Sequence, residues 1–315
     1  MARTTGDILS EVRSLLDEIN EANLGDDTDL LPSINRGLDY ALHILATHYV
    51  APILTYKLVT LTSGQSEYDL PEDAFEERLL KMEVYNRLAF SEIMRLDYKD
   101  VTFYDVPTKT NVPYYYTVIG TKYRLNPPPT GTYPLRLWYA KHPGPLVKEQ
   151  GQVTVIGSNY VIVQNLGDSI SSTGSASYVN LVDGETGNVK ATLQIQSIVG
   201  NKITFKGTPD RTSFSNRTVV GTLPTDLAID DYVCSAEGTC IPVMRSTVTN
   251  FLVQFAVAEM TRKLGGEPTI EEKVKADFEE QIKRAWTGRE RYTRVKKRSK
   301  EWGATGRRYW FNNSN

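Results

Sequence analysis

Helical periodicity is present at both ends of the chain but almost absent from residues 146–242, and this contrast limits the possible folds more than any other feature. The central segment is rich in Val, Ile, Ser, Thr and Gly, and its apolar residues alternate or run between turn signals. We therefore predict an inserted all-β domain at 146–242, either a small antiparallel barrel or a sandwich. Residues Asp183–Asn188 are expected to form one of its hairpin loops.

Apolar residues recur at helical spacing in both terminal parts of the sequence. Thr5 is expected to cap a first helix, and Thr28 or Asp29 a second helix that packs antiparallel to the first. Near the other end, a strongly apolar helix stops at Gly265-Gly266 and a more polar helix begins at Pro268. Each apolar face needs a partner, so we predict that the N- and C-terminal helices form one bundle.

Between these helices and the inserted domain, the sequence changes to short β-type runs. Tyr56–Thr62 and Glu67–Leu70 predict a hairpin, and Met94–Asp105 is interpreted as a short helix or an irregular crossing. With further short strands they would form a small β-meander. The predicted fold class is α+β, with a core of helices and β-strands at 1–145 and 243–292, the inserted domain at 146–242 and an extended tail at 293–315.

Charge is distributed unevenly along the chain, although the net charge is only -2. The first thirty residues contain eight acids and two arginines, whereas residues 283–308 contain eleven bases and two acids. So small a net charge provides no strong overall field for nucleic acid, but the two ends could be complementary.

The C-terminal run combines cations with aromatic rings, which can dock on protein or bind and stack on nucleic acid. Three interpretations are open: a solvated tail, a segment that docks on protein, and a nucleic-acid-binding segment. The protein-docking hypothesis is favoured because aromatic residues are denser than a purely charged tail needs. Its candidate residues are Arg294, Lys296, Lys297, Arg298, Trp302, Arg307, Arg308, Tyr309, Trp310 and Phe311.

No sequence motif for catalysis or for cofactor binding stands out. The three histidines, His43, His48 and His142, have no motif around them, and the two cysteines, Cys234 and Cys240, lack further metal ligands nearby. No apolar run approaches the roughly 20 residues that span a bilayer, and no secretory signal is recognisable. We therefore predict no enzyme activity, no cofactor, no metal and no membrane partner.

Several short motifs, taken in order, make the chain similar to a known family. They are Thr5-Gly6-Asp7-Ile8-Leu9, Leu30-Leu31-Pro32-Ser33-Ile34-Asn35, Tyr68-Asp69-Leu70-Pro71-Glu72-Asp73, Tyr115-Tyr116, Tyr123-Arg124-Leu125-Asn126-Pro127-Pro128-Pro129 and Leu135-Arg136-Leu137-Trp138-Tyr139-Ala140. In this order they resemble phage head-to-tail adaptor (head-completion) proteins. The resemblance covers residues 1–145 and 243–315 and leaves the inserted domain outside.

The resemblance implies a structural protein of the virion at the head–tail junction, assembled in the host cytoplasm. It implies a homo-oligomeric ring, with twelve subunits expected, whose C-terminal extension grips the portal protein. Tail nozzle or other tail proteins would bind the opposite side, and DNA would pass through the channel without specific binding. Asp26, Asp27 and Asp29 are candidates to line that channel, where repulsion would keep DNA mobile. The alternative is a nucleic-acid-binding protein that uses the same basic and aromatic tail.

Overall fold

The computed structural model describes residues 3–17, 24–48, 53–71, 73–85, 88–97, 112–214, 217–242, 246–265, 267 and 269–284. Four α-helices and two large β-sheets make up this part of the chain. The helices are α1 (Thr5–Leu15), α2 (Leu31–Thr47), α3 (Thr247–Lys263) and α4 (residues 269–284). The predicted α+β class is confirmed.

Helix α1 begins one residue earlier than predicted, because Thr4 and not Thr5 is its cap. The Thr4 hydroxyl accepts a hydrogen bond from the Asp7 amide at 3.2 Å, and the Asp7 carboxylate accepts one from the Thr4 amide at 2.9 Å. This reciprocal pair satisfies two amides that the first turn leaves free. For α2 the expected caps were also wrong: a π-helical turn, Asp26–Leu30, leads directly into it, and Asp29 accepts from the Gly25 amide at 3.1 Å instead.

The four helices share one apolar core, in which α1 and α2 each pack against α3 more than against each other. Gly37 of α2 makes the approach to α3 possible, because a Cβ at this position would lie 2.8 Å from the Phe255 ring. Phe278 of α4 stacks on Phe251 of α3 with ring centroids 4.1 Å apart. The N-terminal and C-terminal parts of the sequence are therefore joined through α3.

The first sheet has seven strands in the order β1-β7-β3-β4-β5-β6-β2, of which only β4 and β5 are parallel neighbours. This order is not that of a simple meander, because β7 separates β1 from β3. The strands are β1 (Leu54–Thr60), β2 (Glu67–Asp69), β3 (Ala74–Tyr85), β4 (Phe90–Arg95), β5 (Tyr115–Ile119), β6 (Lys122–Asn126) and β7 (Pro134–Lys141).

Two expectations for this region were wrong. The runs 56–62 and 67–70 do not form a hairpin: β1 pairs with β7, β2 pairs with β6, and the two lie at opposite edges of the sheet. The connection between them packs on a later loop instead, since the Leu61 amide donates to Tyr133 and the Gly64 amide to Pro129. Met94 and Arg95, expected in a helix or a crossing, belong to strand β4.

The second sheet closes on itself. Its strands are β8 (Glu149–Ile156), β9 (Tyr160–Gln164), β10 (Tyr178–Val182), β11 (Val189–Val199), β12 (Lys202–Phe205), β13 (Ser213–Phe214), β14 (Arg217–Val220) and β15 (Tyr232–Ser235). Six of them pair in the cycle β10-β15-β8-β9-β12-β11-β10, all antiparallel, while β14 adds to β11 and carries β13. Of the two forms predicted for this segment, the strands form the barrel.

The predicted hairpin loop Asp183–Asn188 joins β10 to β11 and is confirmed. Burial alone would raise the pKa of Asp183, but hydrogen bonds from Thr186, Lys190 and Glu185 outweigh it and lower this pKa to about 2. Lys190 lies 3.1 Å from Asp183 and 2.8 Å from Asp231. The carboxylate of Asp183 therefore stabilises the folded loop most strongly when it is ionised.

Replacing Asp183 with Asn should destabilise the barrel by about 2 kcal/mol at neutral pH. The folded-state pKa is depressed, so the stabilisation is complete above the unfolded value of 3.8 and is lost as the pH falls towards 2. Wild type and Asp183→Asn should converge over this window in urea unfolding followed by NMR of barrel amides. Glu185→Gln, at an exposed neighbour, is the control; a constant gap between wild type and Asp183→Asn at all pH values would contradict the assignment.

The barrel is tied to the helices at two places. Asn35 of α2 forms two hydrogen bonds with the backbone of buried Leu146, at 3.0 and 2.7 Å. At the start of α1, the Glu149 carboxylate accepts from the Thr4 hydroxyl at 2.8 Å and from the Gly6 amide at 2.9 Å. Gly6 and Asn35, which belong to two of the motifs that carry the family resemblance, thus help to join the helical core to the barrel.

Asn35→Ala should lower the free energy of unfolding by about 2 kcal/mol, because it leaves the amide and carbonyl of Leu146 without their partner. The matched control is Asn250→Ala, which removes only an exposed, 3.4 Å bond with Arg3. Chemical denaturation of both variants measures the difference. Equal free energies of unfolding for the two variants would show that the Asn35 bonds do not stabilise the segment around Leu146.

Candidate interaction surface

The outer face of the first sheet carries a continuous patch of aromatic, apolar and charged side chains across β1, β7, β3 and β4. Residues paired on neighbouring strands project from the same face of a sheet, so the registers define two rows. The rows are Tyr56, Trp138 and Lys81, and Leu58, Arg136, Glu83 and Glu92. We call these residues, together with Tyr85, Phe90 and Met94, the outer-face patch.

Charges at the centre of the patch neutralise one another. Glu83 accepts hydrogen bonds from Trp138 Nε1 at 2.7 Å and Lys81 Nζ at 2.6 Å, and it lies 3.4 Å from Arg136. Burial alone would raise the pKa of Glu83, but the bonds from Lys81 and Trp138 outweigh it and lower this pKa. The Arg136 guanidinium lies over the Phe90 ring, 3.9 Å from its centroid. These contacts hold the ring of Trp138 and the plane of Arg136 in fixed positions.

Around this centre, large apolar side chains are exposed to solvent. Met94 is 64% exposed, Leu58 60% and Tyr56 49%, whereas Leu135 and Leu137 on the inner face are fully buried. Trp, Tyr and Arg are the residue types that contribute most binding energy in protein interfaces, above all where their geometry is already fixed. The patch therefore has the chemistry of a protein-docking surface.

Strand β1 lies beside this patch at the edge of the sheet. Leu61, which continues its register, donates its amide to Tyr133 of the β7 side, so alternate residues 59, 57 and 55 bond to β7. The amides and carbonyls of Tyr56, Leu58 and Thr60 consequently point away from the sheet. Within the described strands, the other two free edges are much shorter: β2 has three residues with charged Glu67 and Asp69, and β13 has two.

A cleft with a volume of about 710 Å³ lies where the first sheet meets the barrel, lined among others by Phe75, His142 and Arg217. The Arg217 side chain donates to the Pro143 carbonyl at 2.5 Å, and desolvation lowers its pKa. His142 stacks on Phe75 and lies 3.6 Å from Asp39. Arg217 of the barrel thus bonds to the segment that follows the first sheet, and His142 of that segment approaches Asp39 of α2.

The structure separates the acids predicted to line a channel. The Asp26 carboxylate accepts from Arg13 at 2.8 and 2.6 Å and from Lys148 at 3.0 Å; burial opposes these bonds, but its pKa is lowered. A bond from Thr28 and one from the Gly25 amide lower the pKa of Asp29. Of the three acids, Asp27 is exposed, whereas Asp26 and Asp29 are partly buried. Asp26 thus stabilises the fold, and the channel role of the three stays a prediction.

The predicted docking residues of the tail, Arg294 to Phe311, all lie outside the described residues. His43 is exposed on α2, and His48 follows directly after that helix. Cys234 and Cys240 are buried as free thiols. In the described part of the chain, no group of His, Cys, Asp and Glu is placed to hold a metal ion, and none of the helices is long and apolar enough to cross a membrane.

The outer-face patch was not predicted from the sequence, although the sequence contains a signal for it. In β1 and β7, large aromatic or apolar side chains occur among the alternate positions that project from the outer face. Tyr56 and Leu58 flank Lys57, and Arg136 and Trp138 flank Leu137. A strand in a one-sided sheet should be polar on its second face. The departure from that pattern indicates an outer face suited to contact another polypeptide.

The chain was compared with curated proteins and with models of protein families. No curated protein matches the chain. The family model described as SU10 adaptor protein matches residues 3–168, more than half of the sequence, and so spans α1, α2, the first sheet and the first strands of the barrel. The chain therefore belongs to the SU10 adaptor protein family, a phage-related family of structural, non-enzymatic virion components.

Proposed function

We propose that this protein forms a ring that connects the portal to the tail at the head–tail junction, assembled in the host cytoplasm. The supporting observation is its membership of a phage adaptor family. An adaptor of this kind works through contacts with other polypeptides, and the outer-face patch supplies a preformed surface for them. Each subunit would contact two neighbours, with twelve subunits in the ring and DNA passing through the channel without specific binding.

The C-terminal tail supplies the portal contact in this proposal. Its cations and its four aromatic residues Trp302, Tyr309, Trp310 and Phe311 are suited to anchor in pockets of another protein. The free energy of ordering such a segment must be offset at binding, so the aromatic anchors should dominate the affinity. The tail nozzle or other tail proteins would bind the opposite side of the ring.

Truncation after Tyr292 should reduce binding to the portal at least a hundredfold in a pull-down or biolayer experiment, while ring formation persists. A matched pair of full-length variants separates the contributions. One replaces the four aromatic residues with Ser and keeps the charges, and the other replaces Lys296, Lys297 and Arg298 with Gln and keeps the rings. The first variant should lose more portal affinity than the second.

The same variants test the nucleic-acid alternative. If the tail binds nucleic acid, oligonucleotides should quench Trp fluorescence, and the affinity should fall steeply with salt. Undiminished portal binding after truncation would overturn the docking role. Strong, salt-sensitive oligonucleotide binding together with unchanged portal binding would favour the alternative.

A further inference from the structure

We propose that strand β1 accepts residues 101–106 of a second copy of this chain as an added strand, so that each subunit donates one strand and accepts one. This inference rests on the proposed ring and names the contact that builds it. It concerns the free edge of β1 and the adjoining part of the outer-face patch. The resemblance and the family match do not specify this contact.

Strand β1 is the one described edge that lacks the usual protection against pairing. Exposed edges in monomeric proteins are kept short, charged, bulged or interrupted by proline. The β1 register runs from Leu54 to Thr60 without a shift, and the strand contains no proline and a single charge, Lys57. Beside its free backbone groups lie Tyr56 and Leu58, both about half exposed or more. An edge with these properties is covered by another strand in the assembled protein.

The two short edges of the same chain cannot supply that strand. Strand β2 has three residues and strand β13 has two, against seven in β1. A partner of matching length has to come from elsewhere in the chain. The sequence Val101-Thr102-Phe103-Tyr104-Asp105-Val106 consists mainly of β-branched and aromatic residues and precedes Pro107.

The described residues on either side of this segment are hydrogen-bonded to each other at the junction of β4 and β5. The Met94 amide donates to Tyr114 at 2.9 Å, and the Leu96 amide donates to Tyr116 at 2.9 Å. The chain therefore leaves and re-enters the sheet at neighbouring points, and the seventeen residues 97–113 between them are a long connection for a compact domain. Connections of this length commonly carry function.

Pairing within one subunit is disfavoured by distance. A strand added to β1 would lie four strand spacings from β4, which is about 19 Å. Val101 is five residues beyond Leu96, a reach of at most about 18 Å even when fully extended. The β1 edge of a neighbouring subunit carries no such restriction. One donor and one acceptor per subunit give a heterologous contact, the kind that closes into a ring.

The test uses complementary variants of the full chain. Leu58→Pro removes an amide that points away from β7 and so leaves the ladder between β1 and β7 intact. Leu58→Lys protects the same edge by charge, and it serves if the proline variant does not fold. Phe103→Asp with Tyr104→Asp disables the donor on both of its faces. Val199→Lys, at a 74% exposed apolar position on the barrel, is the matched control.

Sedimentation velocity should show wild type and Val199→Lys as oligomers, and each edge or donor variant as a monomer. An equimolar mixture of an edge variant and the donor variant retains one intact contact and should give a one-to-one dimer. Variants that assemble like wild type, a mixture without dimer, or a wild type that is monomeric at all concentrations would overturn the inference. If the edge variants still form rings, the strand exchange is wrong but the proposed ring adaptor is unaffected. If the wild type neither assembles nor binds the portal, both the strand exchange and the ring adaptor are wrong.

Discussion

Replacing Phe251 with alanine is expected to lower the free energy of unfolding by about 4 kcal/mol. Its side chain is 3% exposed at the centre of the helical core. Its ring centroid lies 4.1 Å from that of Phe278 in α4, 5.6 Å from Phe255 in α3 and 5.9 Å from Tyr40 in α2. Truncation therefore leaves a cavity at the point where three helices meet, and α4 loses its main aromatic contact.

Urea denaturation followed by far-UV circular dichroism measures this loss, because the signal reports mainly the helices. Tyr114→Ala, at a position 54% exposed on the surface, is the control and should change stability by less than about 0.5 kcal/mol. A loss below about 1 kcal/mol for Phe251→Ala would mean that α2, α3 and α4 do not share the core described. The prediction of helices in the C-terminal part would then hold without the packing that joins them to α2.

The sequence predicts the elements of this fold better than their arrangement. The helices and the barrel strands follow from local periodicity, which depends on a few neighbouring residues such as Ile203 and Phe205 in β12. The partner of β1 depends on a residue about eighty positions away, since Tyr56 pairs with Trp138. A turn signal at residues 63–66 could not distinguish a hairpin from a connection that packs on the loop around Pro129.

For the candidate site, the sequence predicted the residue types but not their location. The prediction that aromatic and basic residues bind other polypeptides was made for the C-terminal tail, which lies outside the described residues. The outer-face patch needs the register of four strands, because Lys81, Glu83, Arg136 and Trp138 meet only when β3 and β7 pair. Asp26 shows the converse, since a run of acids indicates an exposed surface until Arg13 and Lys148 are found beside it.

A second large effect is expected at Glu259, a carboxylate on α3 that joins the two ends of the chain. It is 4% exposed; it accepts from the Ser33 hydroxyl at 2.5 Å and pairs with Arg36, both on α2. Glu259→Ala should cost about 3 kcal/mol, because it leaves the Ser33 hydroxyl buried without a partner and removes the ion pair. The control is Glu280→Ala, which removes an exposed pair with Arg284 in α4 and should cost less than about 0.5 kcal/mol.

The pH dependence of this loss identifies its cause. Burial alone would raise the pKa of Glu259, but the bonds from Ser33 and Arg36 outweigh it and lower this pKa below 4.5. The ionised group therefore stabilises the fold fully above pH 4.5, and this contribution declines as the pH falls through the folded-state value. The gap in unfolding free energy between wild type and Glu259→Gln should narrow with acidification in the same way. If the difference in unfolding free energy widened below pH 4.5, Glu259 would be protonated in the folded protein. Arg36 would then form no ion pair that joins α2 to α3.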